Sequence, residues 1–272
     1  MTSSLDTAAA RAPEAPRIVL ITGAARRIGR SLALGFAARG WDVAVHYGAS
    51  REEAGEVVAE IVALGRRAVA LHAELGDEAQ VEQLLPACMA ALGHPSCIVN
   101  NASRFEEDTA LNVGYDLLLK LTAMNLGAPL VLARMLFEAT PEAARTDESQ
   151  RGVVINVLDQ KLYNMNPDYL SYTLSKAALQ TATVALAQAL APKVRVVGLA
   201  PGLTMQSADQ TPAGFEEAHR ATPLGRASRP EDIVAAALYL ADAAGVTGTT
   251  LVVDGGQHLV PLPRDVMFLM GA

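Results

Sequence analysis

Cysteine is nearly absent from this chain. Its 272 residues hold two, Cys88 and Cys97, and neither has metal-ligand spacing around it. A disulfide framework and a cysteine-based metal site are therefore excluded, and both thiols are expected to be buried and free. Aromatic residues are scarce at 4%, while 51% of the chain is hydrophobic. That balance excludes a disordered chain and suits a sheet of Val and Ile covered by Ala- and Leu-rich helices. Positive charge is not in excess: the net charge of -7 gives no global attraction for nucleic acid or an anionic membrane surface, although a local basic pocket can still hold a phosphate. No uninterrupted apolar stretch reaches about 18 residues, so no membrane span is expected. Residues 1–16 lack the charged start and long apolar run of a signal peptide and are read as a disordered arm. A soluble, cytoplasmic protein with small-molecule partners is expected.

What is present is a repeated alternation. Ile18-Val-Leu-Ile21 reads as a buried strand running into Thr22-Gly23, with a helix from Ile28 to Ala38. Strand Asp42 to Tyr47, helix Glu52 to Leu64, strand Ala68 to His72, helix Glu78 to Leu92 and strand Cys97 to Asn100 follow. Next come helices within Asn112 to Ala139, strand Val153 to Val157, a long helix from Tyr169 to Ala191 and strand Val194 to Leu199. A helix from Pro230 to Leu240 and a strand from Thr250 to Val253 complete the series. This order predicts a single α/β domain over residues 17–272, a Rossmann-type doubly wound parallel sheet of about seven strands. Residues 201–223, with one short helical piece from Gly214 to Arg220, are read as a substrate lid over the carboxyl edge, or else as a solvated excursion.

A nucleotide site is placed by the first turn, Thr22-Gly23-Ala24-Ala25-Arg26-Arg27-Ile28-Gly29. Gly23 permits a tight turn and Gly29 a close approach of helix, strand and pyrophosphate, with Arg27 and Ile28 between them at the helix entry. The second strand ends Val45-His46-Tyr47-Gly48-Ala49-Ser50-Arg51, without the acid that would bind a ribose 2′-hydroxyl. Asp42 stands at the wrong end of that strand. Arg27, His46, Ser50 and Arg51 supply donors and positive charge for a 2′-phosphate, with Tyr47 among them, so NADPH is the expected cofactor. Glu74-Leu75 after the third strand is read as an adenine contact or as a helix-entry acid. Asn101, Ala102 and Ser103 after the fourth strand, and Pro201-Gly202-Leu203-Thr204 after the sixth, complete the expected cofactor contacts.

Tyr172 and Lys176 stand four apart at the start of the long helix and project from one face. Together with Thr-Gly-x-x-x-x-x-Gly, Asn-Asn-Ala-Ser, Asn125, Pro201-Gly202 and Val253-Asp254-Gly255-Gly256, they resemble the short-chain dehydrogenase/reductase family over Arg17 to Leu259. The resemblance implies that Tyr172 is the acid/base, that Lys176 lowers its pKa and holds the nicotinamide ribose, and that Asn125 supports a water-linked proton path. It also implies a homotetramer built through long-helix packing.

Two departures narrow the resemblance to the pteridine reductase branch, which includes dihydromonapterin reductases. The position thirteen residues before Tyr172, commonly Ser in the family, is Asp159, and Arg27 replaces the middle glycine of the cofactor turn. Phe105 falls where that branch stacks an aromatic on the pterin. A pterin needs hydride at carbon and a proton at ring nitrogen, which Asp159 can supply directly or through Tyr172. The expected substrate contacts are Arg27, Phe105, Asp159 and Tyr172. The alternatives are a carbonyl or 3-oxoacyl reductase, and an NADPH-sensing binding protein with little turnover.

Overall fold

Short runs of Val, Ile, Leu and Ala form the strands because such side chains fill the space between two helical layers, leaving no room for polar alternation. The computed structural model describes residues 17–206, 211–220, 222–265 and 268. The arm expected at 1–16 lies outside them, as does most of the apolar end of the tail. The strands are β1 (Ile18–Ile21), β2 (Asp42–Tyr47), β3 (Ala68–His72), β4 (Cys97–Asn100), β5 (Gly152–Val157), β6 (Val194–Pro201) and β7 (Thr250–Val253). They form one seven-stranded sheet in the order β3-β2-β1-β4-β5-β6-β7, every pair parallel. The order reverses between β1 and β4, where the chain ends of the two strands diverge and leave a crevice at the carboxyl edge.

Helices α1 (Arg27–Ala38), α2 (Arg51–Ala63) and α8 (Pro230–Asp242) cover one face. Leu32, Phe36, Val57, Ile61, Ile233 and Leu240 are fully buried there against Val19, Val43, Val99 and Ile155. Helices α3 (Glu78–Ala91), α4 (Tyr115–Thr122), α5 (Ala128–Ala139) and α6 (Leu170–Leu190) lie elsewhere, and α3, α5 and α6 build the second core with Leu20, Ile98, Val154 and Val196. Short helix α7 (Pro212–Arg220) lies in the segment expected to be a lid, starting two residues earlier than its sequence suggests. Both cysteines are buried and free.

A π-turn, Ala123–Gly127, joins α4 to α5. The helical run Tyr115–Ala139 is thus long and apolar enough by composition to cross a membrane, with hydropathy 1.4. One side of it packs into the core, burying Leu121, Leu132, Ala133 and Leu136 completely, while Tyr115 and Leu119 are exposed. Strand β6 runs two residues beyond the expected Leu199, so Pro201 is a buried strand residue.

Candidate active site

The crevice is built first by a clasp between two turns. The Thr22 hydroxyl accepts the backbone N–H groups of Asn101 and Ala102, each at 3.0 Å, and the Asn101 amide donates to the carbonyls of Thr22 and Gly23 at 2.9 and 3.1 Å. A Cβ at Gly29 would stand 2.0 Å from the Gly23 carbonyl oxygen and 2.6 Å from the Asn101 amide nitrogen, so only glycine lets α1 approach this closely. No side chain caps the first turn of α1. Its free N–H groups and positive end therefore face the crevice and suit an anion. The adjoining cleft, about 420 Å³, is lined by the expected Gly23, Arg27, Ile28, Gly29, His46, Glu74, Leu75, Asn101, Ala102 and Ser103.

Some sequence expectations need correction here. His46 was expected to bring positive charge to a phosphate. Its ring is buried, with Nδ1 accepting from Gly23 N–H at 3.0 Å and Nε2 bonded to the Ala73 carbonyl at 3.0 Å. Burial lowers its pKa to about 4, outweighing the Ala73 bond, so it is a neutral clasp between strand ends. Tyr47 and Ser50 stand outside the lining, Tyr47 turned onto the His72 ring at 5.4 Å. Pro201 is likewise outside both the cleft and the neighbouring pocket. Arg26 lines the cleft without having been singled out, and Gly48 and Ala49 leave the end of β2 free of acid. Asp42 is held at the other end of β2 by Arg66 and Arg67, at 2.6 and 2.7 Å.

Arg27 adopts the left-handed conformation, φ +52. This costs a non-glycine residue about 1–2 kcal/mol and explains why glycine would be easier there. In return the guanidinium turns toward the segment after β6, donating to the carbonyls of Gln206 at 2.9 Å and Met205 at 3.3 Å. Arg27 and Ile28 are shared between the cleft and a second pocket of about 190 Å³. Into that pocket the fold brings the expected Phe105, Asp159, Gly202, Leu203 and Thr204. Gln160, Lys161, Gln257 and Asp265 also reach it, and no local pattern announces them.

Behind Asp159 lies the pair expected to be catalytic, Tyr172 and Lys176. The Tyr172 hydroxyl donates to Asp159 Oδ2 at 2.7 Å, and Asp159 Oδ1 accepts the Lys161 backbone N–H at 2.8 Å. Burial pushes the Asp159 carboxyl above the usual carboxylate range, against the pull of the Lys161 N–H, Tyr172 and Lys176, while the Asp265 charge adds to the rise. Burial, then the Asp159 charge, holds the Tyr172 phenol well above its ordinary value. The resemblance implied that Lys176 lowers the Tyr172 pKa. The Lys176 ammonium donates to the Val157 carbonyl at 2.7 Å, and burial brings its own pKa down to about 8. Burial thus favours the protonated phenol at Tyr172.

Asn125 sits inside the π-turn, a geometry frequent at functional sites. Its amide donates to Arg104 O and Ser175 Oγ, each at 3.0 Å, and accepts from Arg104 N–H at 2.9 Å. The side chain therefore braces the Ser103–Arg104 turn against α6. Phe105 stacks on Tyr169 at 4.0 Å and meets Tyr172 edge-on at 4.7 Å, with 45% of its surface still open.

A family model described as enoyl-(acyl carrier protein) reductase matches residues 23–258. An uncharacterized oxidoreductase of Mycobacterium tuberculosis is 36% identical over 248 residues, 88% of this chain and 91% of that protein. A 3-oxoacyl-(acyl-carrier-protein) reductase of Synechocystis is 31% identical over 245 residues, 89% of this chain and 96% of that protein. Among solved structures, FolM alternative dihydrofolate reductase 1 from Brucella canis, complexed with NADP, superposes with TM-score 0.83 at 36% identity, covering 90% of this chain and 96% of that one. A blue fluorescent protein from a metagenomic library, in complex with NADPH, superposes with TM-score 0.79 at 29% identity, covering 89% and 97%.

Proposed function

This chain belongs to the short-chain dehydrogenase/reductase family, and from that premise we propose that it is an NADPH-dependent pterin reductase acting on a dihydropterin or dihydrofolate-type ring. Its standing as an NADP-dependent reductase of the family rests on the relatives and on the cofactors of the solved structures. The substrate class is the proposal. The observation that carries it is the 2.7 Å hydrogen bond from Tyr172 to a half-buried carboxyl, Asp159, in a pocket edged by Phe105.

NADPH supplies the hydride when bound. The uncapped start of α1 suits its pyrophosphate, and Arg26 and Arg27 are the cations beside the acid-free end of β2 that suit its 2′-phosphate. Lys176, buried behind Tyr172, would hold the nicotinamide ribose. Tyr172 keeps its proton until a ring nitrogen gains basicity, and then donates it. Asp159, held toward its neutral form by burial, can restore that proton or deliver its own. Phe105 offers a flat apolar face to the ring.

A carbonyl or 3-oxoacyl reductase is the second reading, favoured by relatives of that name. Against it, Asp159 Oδ2 is an acceptor of the Tyr172 hydroxyl, whereas ketone reduction is served at that position by a neutral hydroxyl donor to the developing oxyanion. Exposed Tyr115 and Leu119 on α4, and Leu174 and Val184 on α6, support the expected homotetramer, which sedimentation would test. The substrate reading is tested by following NADPH oxidation across dihydropterins, dihydrofolate and simple ketones. Turnover is expected on the pterins, and turnover on ketones alone overturns the reading.

A further inference from the structure

Helix α6 carries Tyr172 in its first turn, and that turn is not closed by its own neighbours. The residue at its N-cap is Tyr169, which adopts the left-handed conformation, φ +55, and whose side chain makes no cap hydrogen bond. A Ser, Thr, Asp or Asn at that place would accept locally from the free N–H groups of the turn. Here the acceptor comes from 63 positions away. Asp108 Oδ1 accepts the Ser171 backbone N–H at 2.9 Å, Asp108 Oδ2 accepts the Ser171 hydroxyl, and the Asp108 carbonyl accepts the Leu170 N–H at 3.2 Å. Asp108 and Ser171 are both buried. A buried carboxyl needs donors, and the positive end of α6 supplies them.

Asp108 ends an irregular stretch, residues 101–108, that also carries Phe105. That stretch is pinned to α6 twice. At Arg104 the Asn125 amide holds the backbone N–H and carbonyl and reaches α6 through Ser175 Oγ, which donates to the Tyr172 carbonyl at 2.7 Å. At Asp108 the partner is Ser171, next to Tyr172. Phe105 lies between the two pins, stacked on Tyr169 and edge-on to Tyr172. A local cap would stabilise the helix alone, whereas a cap supplied by the loop also fixes the loop against the helix.

We infer that Asp108 is a positioning residue, which caps α6 from the loop that bears Phe105 and so holds the Phe105 ring and the Tyr172 phenol in fixed relation. The inference rests on the reading that these two side chains serve the substrate, and it deepens that reading by naming what aligns them. Loss of the cap frees one end of the loop and the first turn of α6 together. Displacement of the phenol lowers kcat, because small misplacements of a proton donor are felt strongly in the transition state. Displacement of the ring raises KM.

The test uses the full-length enzyme with NADPH and 7,8-dihydrobiopterin, at a temperature where every variant is folded by circular dichroism. Asp108→Ala is expected to lower kcat about tenfold and to raise KM about threefold, with NADPH affinity within about twofold of wild type. Asp108→Asn keeps the cap, its amide oxygen accepting from the Ser171 N–H and its amide N–H donating to the Ser171 hydroxyl, and should restore both constants to within about twofold. In a Phe105→Ala background the Asp108→Ala change should raise KM by less than about 1.5-fold, since the ring it positions is gone. A cap that serves only stability would lower the unfolding midpoint and leave kcat and KM of the folded enzyme unchanged, and that result overturns the inference. So does an Asp108→Asn enzyme as impaired as Asp108→Ala, or a KM effect undiminished in the Phe105→Ala background. Should Asp108→Ala not fold, Ser171→Ala removes one bond of the pair: shifts of the same signs by about two- to threefold support the inference, and unchanged constants overturn it. If the wild type reduces an activated ketone and no dihydropterin, the substrate reading fails, while kcat on the ketone and its rescue by Asp108→Asn still decide the positioning role.

Discussion

The cleft we assign to the cofactor and the pocket we assign to the substrate share Arg27 and Ile28 but are made in opposite ways. The cleft is a backbone device: turns after β1, β2, β3 and β4 clasp one another, and its one buried titratable ring, His46, is held neutral. The pocket is a side-chain device. A half-buried carboxyl stands in its wall with a buried phenol and a buried ammonium behind it, and burial favours the neutral form of each. The difference teaches that binding a constant cofactor asks for shape and free N–H groups, whereas protonating a substrate asks for groups whose proton affinities burial has moved.

The sharpest break in that comparison comes at Tyr172. Tyr172→Phe removes the proton donor from the pocket and leaves the cleft untouched, so kcat on the reduced substrate should fall about 10²- to 10⁴-fold while NADPH affinity holds. Steady-state kinetics with a separate cofactor titration measures both. A loss of cofactor affinity as large as the loss of kcat would show that the two regions are not separable.

On the cleft side the largest effect is on stability. The unfolded chain takes up a proton on His46 near the ordinary value of 6.5, and the folded chain refuses it until about 4. Stability from this neutral clasp is therefore fully present above pH 6.5 and is lost as pH falls from 6.5 toward 4, by roughly 3 kcal/mol. Urea midpoints across that window should fall in the wild type, and His46→Gln should flatten the slope.

Asp159→Ser should lower pterin turnover at least about tenfold, a barrier change of about 1.4 kcal/mol, with NADPH binding largely intact and any ketone activity raised. Because burial raises the Asp159 pKa, its proton is present at low pH and is lost as pH rises through that raised value. Wild-type pterin turnover should decline along that limb, and the Ser variant should lack it. Equal turnover by the two enzymes would remove the carboxyl from the proton path.

The smallest effect is expected at Phe105, which supplies shape rather than a proton. Phe105→Ala should raise the pterin KM several-fold, since stacking is worth about 0.5–1.5 kcal/mol beyond area burial. An unchanged KM would mean that the ring serves only its stack on Tyr169.

Much of this was legible from local pattern. Seven apolar runs, each bounded by turn residues, predicted the strands, and five of them match the observed bounds residue for residue. Thr22, Gly23, Gly29 and Asn101 were readable because one short turn must satisfy several backbone groups at once, which few residues can do. His46 was misread because sequence shows a basic residue at a strand end but not its burial, and burial decides its charge.

The sequence by itself determined the parallel sheet, its carboxyl-edge crevice and the pairing of Tyr172 with Lys176 on one helix face, because periodicity and turn chemistry act between near neighbours. Only the tertiary structure decided which protons are held, that Arg27 turns to the carbonyls after β6, and that Gln160 and Asp265 wall one pocket. Those outcomes depend on desolvation and on contacts between segments far apart in the chain, and neither quantity is written in any local window of residues.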